Sequence, residues 1–258
     1  MDYQRRFGGI ARLYGQSGLE NFAKSHVAVI GVGGVGSWAV EALARSGIGA
    51  MTLYDMDHVA ESNVNRQLPA LEKEFGKAKV QVMSQRINQI NQDCQVNAIE
   101  EYIEVENLSG LIHGNFNYVL DCIDNYRIKA AIINYCKREK IALITVGGAG
   151  GQVDPTKVRL ADLSRSEQDP LLSKTRKLLR KEFGFSSNLK RRFGVPCVYS
   201  VEQQKFPDSE GGVCHSKSGG LDGSLNCGGF GSAMTITASF GLVAVSYVLK
   251  QLSEGIDR

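Results

Sequence analysis

An apolar, β-branched run that leads straight into closely spaced glycines constrains the fold more than any other feature. The segment H-V-A-V-I-G-V-G-G-V-G extends from His26 to Gly36, with further glycines at Gly31, Gly33 and Gly34. A strand that ends in such a loop, followed by a helix, lets backbone N–H groups approach a phosphate, because glycine has no Cβ in the way. The pattern predicts a nucleotide-binding strand–loop–helix unit. A tight turn without a ligand is the alternative.

Short apolar runs alternate with longer stretches of helical spacing from residue 26 to about residue 146. In one such stretch, Val80, Met83 and Ile87 fall on a single helical face. This alternation is typical of βαβ units around a parallel sheet, and right-handed crossovers place helices on both faces of it. We therefore predict a Rossmann-like, doubly wound, mostly parallel α/β fold. The predicted strands are residues 27–30, 51–54, 96–99, 118–121 and 142–146, and the first predicted helix is 35–46.

Composition excludes several classes of protein. The 258 residues are 43% hydrophobic and 22% charged, which suits a folded core and excludes a disordered or collagen-like chain. The six cysteines include no C-x-x-C pair and the four histidines show no ligand spacing, which argues against zinc. The first 25 residues are polar and basic rather than a signal peptide. We expect a cytoplasmic protein with reduced thiols.

After Gly151 the alternation of strands and helices gives way to short strand-like pieces and a charged stretch. We therefore predict a boundary near residue 152 between two parts of the chain. A nucleotide-binding domain would span residues 1–152, and residues 153–258 would form a C-terminal part of the same fold. This part contains a basic segment, a Gly/Ser-rich loop at 209–231 and a C-terminal helix. Residues 223–249 contain no charged residue, so their length alone is compatible with membrane association. Because Ser, Thr, Gly and Asn dilute the stretch, we favour a buried helix.

Asp55 marks the end of the second predicted strand. It lies about 20 residues beyond the glycine loop, where a carboxylate can accept hydrogen bonds from ribose hydroxyls. An adenosine-containing ligand is therefore expected. These residues suit a nicotinamide-dependent dehydrogenase and an ATP-using enzyme equally well.

Three later segments resemble one family. They read D-M-D-H-V-A-E-S-N-V-N-R-Q from Asp55, G-K-A-K-V from Gly76 and V-L-D-C-I-D-N from Val119. In this order they are similar to the motifs of the adenylating enzymes that activate ubiquitin-like proteins, and of the bacterial relatives of those enzymes. The resemblance covers roughly residues 6–150, and it favours an ATP-using enzyme over a dehydrogenase.

The resemblance also implies the roles of individual residues. The implied contacts are Asp55 to the ribose, Asn63, Arg66 and Lys79 to the triphosphate of ATP, and Asp124, next to Asn125, to Mg²⁺. When a carboxylate attacks ATP, negative charge builds on the α-phosphate and the departing pyrophosphate, and cations must meet it. Arg66, Lys79 and Asp124 are therefore the expected catalytic residues. Taken singly, each has a structural alternative: a solvated surface cation, or a helix N-cap at Asp124 and Asn125.

The N-terminus departs from the family pattern. Many relatives begin with R-Y-x-R-Q, which supplies an arginine to the active site of the neighbouring subunit. This chain has R-F-G-G-I-A-R from Arg6, so the second arginine is displaced to Arg12 or absent. The resemblance still implies a homodimer.

The basic segment runs from Lys174 to Arg192. It carries eight basic residues and one acidic residue in a chain whose net charge is only +3, with Phe183 and Phe185 between the cations. Such a segment is typical of an RNA-binding surface, where cations meet phosphates and rings stack on unpaired bases. A solvated basic helix face is the alternative.

Relatives that activate the C-terminal tail of a ubiquitin-like protein usually carry zinc-binding C-x-x-C motifs, and often a nucleophilic cysteine. This chain lacks the motifs, and its C-terminal cysteines Cys197, Cys214 and Cys227 fit buried or loop thiols better than a nucleophile.

Two further segments read R-R-F-G-G-I-A-R-L-Y-G at 5–15 and L-N-C-G-G-F-G-S at 225–232. With these segments and without zinc-binding cysteines, the whole chain resembles the tRNA-modifying branch of these adenylating enzymes. That resemblance implies adenylation by ATP of the threonyl carboxylate of N6-threonylcarbamoyladenosine beside the anticodon, after which the carbamoyl group closes a ring and expels AMP. It further implies links to a cysteine desulfurase and its sulfur-acceptor protein. Two alternatives stay open: an adenylating activator of a ubiquitin-like or sulfur-carrier protein, and a binding module with a structural nucleotide.

Overall fold

A central β-sheet organises the protein. Its structure, a computed structural model, describes residues 2–208, 210–215 and 231–255. The strands are β1 (His26–Ile30), β2 (Ala50–Tyr54), β3 (Gln95–Ile99), β4 (Tyr118–Asp121), β5 (Leu143–Val146), β6 (Val158–Asp162) and β7 (Pro196–Ser200). A short hairpin pairs β8 (Phe206–Pro207) with β9 (Val213–Cys214). In the described residues the main sheet has the order β3-β2-β1-β4-β5-β7-β6, and only the edge strand β6 runs antiparallel to its neighbour.

The central strand β1 is apolar on both faces. Val27 and Val29 pack into one hydrophobic core, whereas Ala28 and Ile30 pack into a second core across the sheet. A strand covered on both faces has a continuous apolar run, which explains the segment that begins at His26. The predicted doubly wound, mostly parallel α/β fold is confirmed, and each predicted strand is found with its start shifted by at most one residue.

Helices cover both faces of the sheet. They are α1 (Tyr3–Lys24), α2 (Gly36–Arg45), α3 (Lys79–Ile90), α4 (Leu108–Leu111), α5 (Tyr126–Arg138), α6 (Pro170–Glu182) and α7 (Met234–Glu254). Helices α1, α2, α3 and α7 contribute to the first core, and α4, α5 and α6 to the second. Helix α2 stops before Gly47, whose φ of 81° is a left-handed conformation that suits glycine.

Helix α7 is built into the first core. Phe240 and Val248 are fully buried, and a Cβ added to Gly241 would lie 2.7 Å from the carbonyl oxygen of Val35, so α7 and α2 are in backbone contact there. By length and composition the helix could also cross a membrane, with a mean hydropathy of 1.3, but 56% of that window is buried inside the protein. Such burial is expected for the core helix of a folded domain.

Residues beyond 152 extend the same sheet, because β7 pairs with β5 and β6 pairs with β7. The boundary near residue 152 stays a prediction. Most of the Gly/Ser-rich loop predicted at 209–231 lies outside the described residues, as does Cys227.

Candidate active site

The glycine loop joins β1 to α2 at the carboxyl edge of the sheet. Gly31 has a φ of 84°, a backbone conformation that residues other than glycine rarely adopt. A Cβ added to Gly36 would overlap the carbonyl oxygen of Gly31, so the turn cannot accommodate alanine there. Within the described residues, α2 begins without a side-chain cap hydrogen bond at Val35. The first amides of this helix therefore offer donors and a positive dipole end to a phosphate.

Asp55 connects the end of β2 to this loop. Its Oδ2 accepts a hydrogen bond from the Val32 amide at 2.6 Å, and its Oδ1 accepts one from the Asp57 amide at 2.9 Å. Burial raises the pKa of Asp55, and the positive charge of Lys79 partly opposes that rise. The carboxylate thus lies beside the phosphate loop, at the position expected for a ribose acceptor.

Lys79 begins α3 and is only 4% exposed. Its Nζ donates to Asp57 Oδ2 at 2.7 Å, and the hydroxyl of Tyr102 donates to Asp57 Oδ1 at 2.8 Å. Burial alone would raise the pKa of Asp57, but its hydrogen bonds with Lys79 and Tyr102 outweigh burial and hold that pKa below the usual value. Asp57 therefore fixes the position of the lysine ammonium group.

Asp124 lies on the loop that follows β4 and is exposed. The pKa of Tyr102 is raised first by its hydrogen bond to Asp57, and the nearby charges of Asp55 and Asp124 add to the rise. The carboxylate of Asp124 is thus close enough to act on the same tyrosine as the two aspartates after β2. Asn125 has a structural role, because its side chain caps α5 by accepting hydrogen bonds from two backbone amides.

Arg66 lies over the glycine loop. Its Cγ is 3.5 Å from the position of a Cβ added to Gly34, and its guanidinium donates to the Ser62 carbonyl at 2.8 Å and to Asn65 Oδ1 at 3.0 Å. Asn63 is buried, and its backbone carbonyl accepts the amide of Arg66 at 3.0 Å. Asn63 thus holds the loop that presents the arginine.

β1, β2 and β4 are adjacent and parallel, so their carboxyl ends bring the glycine loop, Asp55 and Asp124 to one edge of the sheet, here called the crevice. Arg66 reaches this edge beside Gly34, and the charge of Lys79 acts on Asp55 there. Sequence reasoning missed the roles of Asp57 and Tyr102. Asp57 was visible as the second acid of the D-M-D pattern, and Tyr102 follows the carboxyl end of β3, the fourth strand that reaches this edge. Oxygen ligands from Asp124, shared with phosphate oxygens, fit the coordination preferences of Mg²⁺.

A buried ion pair lies directly behind the crevice. Lys129 and Asp121 are both fully buried, and the Lys129 Nζ donates to Asp121 Oδ2 at 2.8 Å. The hydroxyl of Thr145 donates to the same oxygen at 2.7 Å, and Lys129 donates to that hydroxyl at 3.0 Å. The network ties β4, β5 and α5 together three residues before Asp124.

The basic segment forms the exposed side of α6 and the coil after it. Its exposed cations are Lys174, Lys177, Lys181, Lys190, Arg191 and Arg192. Phe183 and Phe185, expected as stacking surfaces, are partly buried, and RNA stacking on them stays a prediction. Both rings pack against the second core, and Phe185 makes an edge contact with Phe193 at 5.0 Å, because burial of the apolar rings stabilises the end of α6.

Two of the three C-terminal cysteines lie in the described residues. Cys197 is fully buried in β7, and burial raises the pKa of its thiol to about 12, which disfavours the nucleophilic thiolate. Cys214 lies in β9 and is partly exposed. Cys122 directly follows β4, and burial raises the pKa of its thiol to about 12 as well.

Comparisons with known proteins agree with this geometry. The model of the ThiF family matches residues 3–255. A tRNA threonylcarbamoyladenosine dehydratase of Haemophilus influenzae is 50% identical over 252 residues, which are 97% of this chain and 94% of the relative. Crystal structures of an Escherichia coli tRNA N6-threonylcarbamoyladenosine dehydratase match with TM-scores of 0.87 with AMP bound and 0.86 with ATP bound, at 47% and 46% identity. Each match covers 97% of this chain and 95% of the other. The resemblance to adenylating enzymes is thereby confirmed, and the protein belongs to the ThiF family.

Proposed function

We propose that this protein uses ATP to dehydrate N6-threonylcarbamoyladenosine in tRNA beside the anticodon, and so closes the threonylcarbamoyl group into a ring. The main support is similarity over 97% of the chain to a protein with that name, which includes the basic segment as well as the nucleotide crevice. The contacts of the glycine loop add support, because Asp55 bonds to its Val32 amide at 2.6 Å and Arg66 packs beside Gly34.

The proposed reaction has two steps. First, a carboxylate oxygen of the threonyl group bonds to the α-phosphorus of ATP, the α–β bridging bond breaks, and pyrophosphate leaves. Then the carbamoyl group attacks the activated acyl carbon and loses a proton, and AMP leaves with the former carboxylate oxygen. The atoms of one water are thus removed from the nucleoside, and no enzyme nucleophile is needed.

The residues of the crevice have distinct parts in this scheme. The amides of the glycine loop bind phosphate oxygens, and the carboxylate of Asp55 accepts hydrogen bonds from the ribose. Arg66 and Lys79 meet the negative charge that builds on the α-phosphate and the leaving pyrophosphate. Because Asp57 holds Lys79 at 2.7 Å, the ammonium is already oriented before ATP binds.

Asp124 would hold Mg²⁺ against the phosphates. When bound there, the ion neutralises charge on the triphosphate and the departing pyrophosphate. The exposed carboxylate on the β4 side of the crevice leaves room for the water and phosphate ligands that this ion retains.

Four wider features of the proposal follow. The exposed cations of the basic segment bind the tRNA backbone, and the protein acts in the cytoplasm. It forms a homodimer, in which the exposed Arg12 on α1 is available to the neighbouring subunit. A cysteine desulfurase and its sulfur-acceptor protein are proposed partners, to be tested by co-purification from cells.

Incubation of the protein with ATP, Mg²⁺ and tRNA that carries N6-threonylcarbamoyladenosine tests the function. Mass spectrometry of the digested nucleosides should show a product that has lost one water, with one AMP formed per ring. The second candidate activity predicts a different result: pyrophosphate exchange stimulated by a small protein with a Gly-Gly tail and not by tRNA. That outcome, without any dehydrated nucleoside, would refute the proposal.

A further inference from the structure

A shallow, open cavity lies between the first turns of α6 and the chain after β7. Its volume is about 340 Å³, which lies within the usual range for small-molecule sites of about 300–1,000 Å³. The polar and charged residues that line it include Gln168, Asp169, Ser173, Arg176, Gln204 and His215. None of these residues takes part in the nucleotide crevice described above.

Three interactions connect the walls of this cavity to the segments that follow β4 and β5. Asp169 Oδ2 accepts the amide of Gly148, directly beyond β5, at 2.9 Å, and the charge of Lys129 reaches Asp169 from the ion pair behind the crevice. Lys174 lies on the same turn of α6, and its Nζ is 5.8 Å from the ring centre of Tyr126, two residues after Asp124. The cavity thus continues the carboxyl edge of the sheet from β4 towards β7.

The lining is suited to an anionic, amide-bearing group. Arg176 is half-buried there, its guanidinium donates to the hydroxyl of Ser166, and burial lowers its pKa. The two oxygens of Asp169 accept backbone amides from Leu172 and Gly148, so its carboxylate is turned towards the backbone. A planar guanidinium with neighbouring amides is the usual way to recognise a carboxylate.

Gln168 adds a second observation. Its φ of 54° is a left-handed conformation that residues other than glycine, asparagine and aspartate seldom adopt. Backbone strain of this kind clusters at active sites and ligand-binding segments. Gln204, on the opposite wall, is oriented by a hydrogen bond to the Gly150 carbonyl at 3.1 Å.

We propose that this cavity receives the carboxylate-bearing substituent of the modified adenosine, with Arg176 bound to its carboxylate and Gln168 to its carbamoyl group. The proposal rests on the proposed function and deepens it. Binding of this substituent in the cavity would explain how the enzyme distinguishes a tRNA that carries N6-threonylcarbamoyladenosine from one whose adenosine is unmodified. The exposed cations of the basic segment, in contrast, bind both tRNAs.

Paired binding measurements test the proposal. The affinity of the full-length protein is measured at one salt concentration for a tRNA carrying N6-threonylcarbamoyladenosine and for the same tRNA with unmodified adenosine. The wild type should favour the modified tRNA, and Arg176→Gln should lower that preference about tenfold or more, because a charged hydrogen bond to the carboxylate is lost. Arg176→Lys should retain part of the preference. The matched control Lys177→Gln removes an equal charge from the neighbouring exposed position and should weaken binding of both tRNAs alike.

A second variant, Gln168→Gly, tests whether a lower preference for modified tRNA could come from misfolding instead of a lost contact. Glycine relieves the left-handed backbone, so the melting temperature should not fall, yet the preference for modified tRNA should decrease. An unchanged preference in both Arg176→Gln and Gln168→Gly, or an absent preference in a wild type that still forms the dehydrated nucleoside, would overturn the cavity assignment alone. A wild type that neither prefers the modified tRNA nor dehydrates it would overturn the proposed function as well.

Discussion

Lys129→Met gives a stringent test of the structure behind the crevice. The substitution keeps a long apolar side chain but removes the ammonium, which is fully buried and donates to Asp121 Oδ2 at 2.8 Å. Asp121 would then be left as a buried carboxylate with the Thr145 hydroxyl, at 2.7 Å, as its remaining side-chain donor among the contacts described above.

The size of the effect follows from burial. Removing one partner of a buried ion pair costs about 3–5 kcal/mol of unfolding free energy, because an uncompensated charge stays in the interior. The retained hydrogen bond from Thr145 places the expected loss near the lower end, at about 3 kcal/mol. For a chain of this size that corresponds to a decrease of about 6–12 °C in melting temperature.

Equilibrium unfolding in urea at pH 7, together with thermal melts, measures this loss. The control is Asp121→Asn combined with Lys129→Met, which neutralises both partners. Since the net worth of a buried pair is small, the double variant should be about 2 kcal/mol more stable than Lys129→Met alone. A single variant that loses less than about 1 kcal/mol, or a double variant as unstable as the single one, would refute the reasoning.

Three further outcomes are expected. Arg66→Ala should slow adenylate formation about 100-fold or more, measured as pyrophosphate release, while ATP affinity falls much less; a loss below tenfold would contradict its role at the transition state. Burial would raise the pKa of Glu41, but its hydrogen bonds with Arg86 and Arg45 hold that pKa below the ordinary 4.5. Its stabilising contribution is therefore present above pH 4.5 and lost as the pH falls through the lowered value, so Glu41→Gln should flatten the fall in unfolding free energy below pH 4.5. If the unfolding free energy of the variant fell below pH 4.5 as steeply as that of the wild type, the bonds of Glu41 with Arg86 and Arg45 would add no stability. Replacing residues 190–192 by glutamine should weaken tRNA binding and reduce the slope of its salt dependence by up to about 3 units, with ATP affinity unchanged as the control. An unchanged slope would place the tRNA elsewhere.

Local patterns in the sequence were enough to predict the central strand β1 and the glycine loop after it. The run from His26 to Gly36 encodes a buried strand and a glycine-rich loop, and both properties depend on neighbouring residues alone. The end of the next strand then placed Asp55 beside the loop, because parallel strands bring their carboxyl ends to one edge. The fold class and the family followed from the same short-range signals and from motif order.

Contacts between distant segments were decided only by the tertiary structure. Asp57 is paired with Lys79 22 residues away and with Tyr102 45 residues away, and no local pattern encodes such a choice of partner. Phe183 and Phe185 stand between cations in the sequence, and in the fold both rings are partly buried against the second core.

The cavity beside α6 is a tertiary feature of the same kind. It exists because the chain after β7 passes opposite the first turns of α6, so residues 168 and 204 face a common space. The sequence by itself determined which segments become strands, loops and helices, since these depend on spacing and backbone preference. Which side chains meet, and which charges are buried, depends on how the finished elements pack, and only the folded protein decided it.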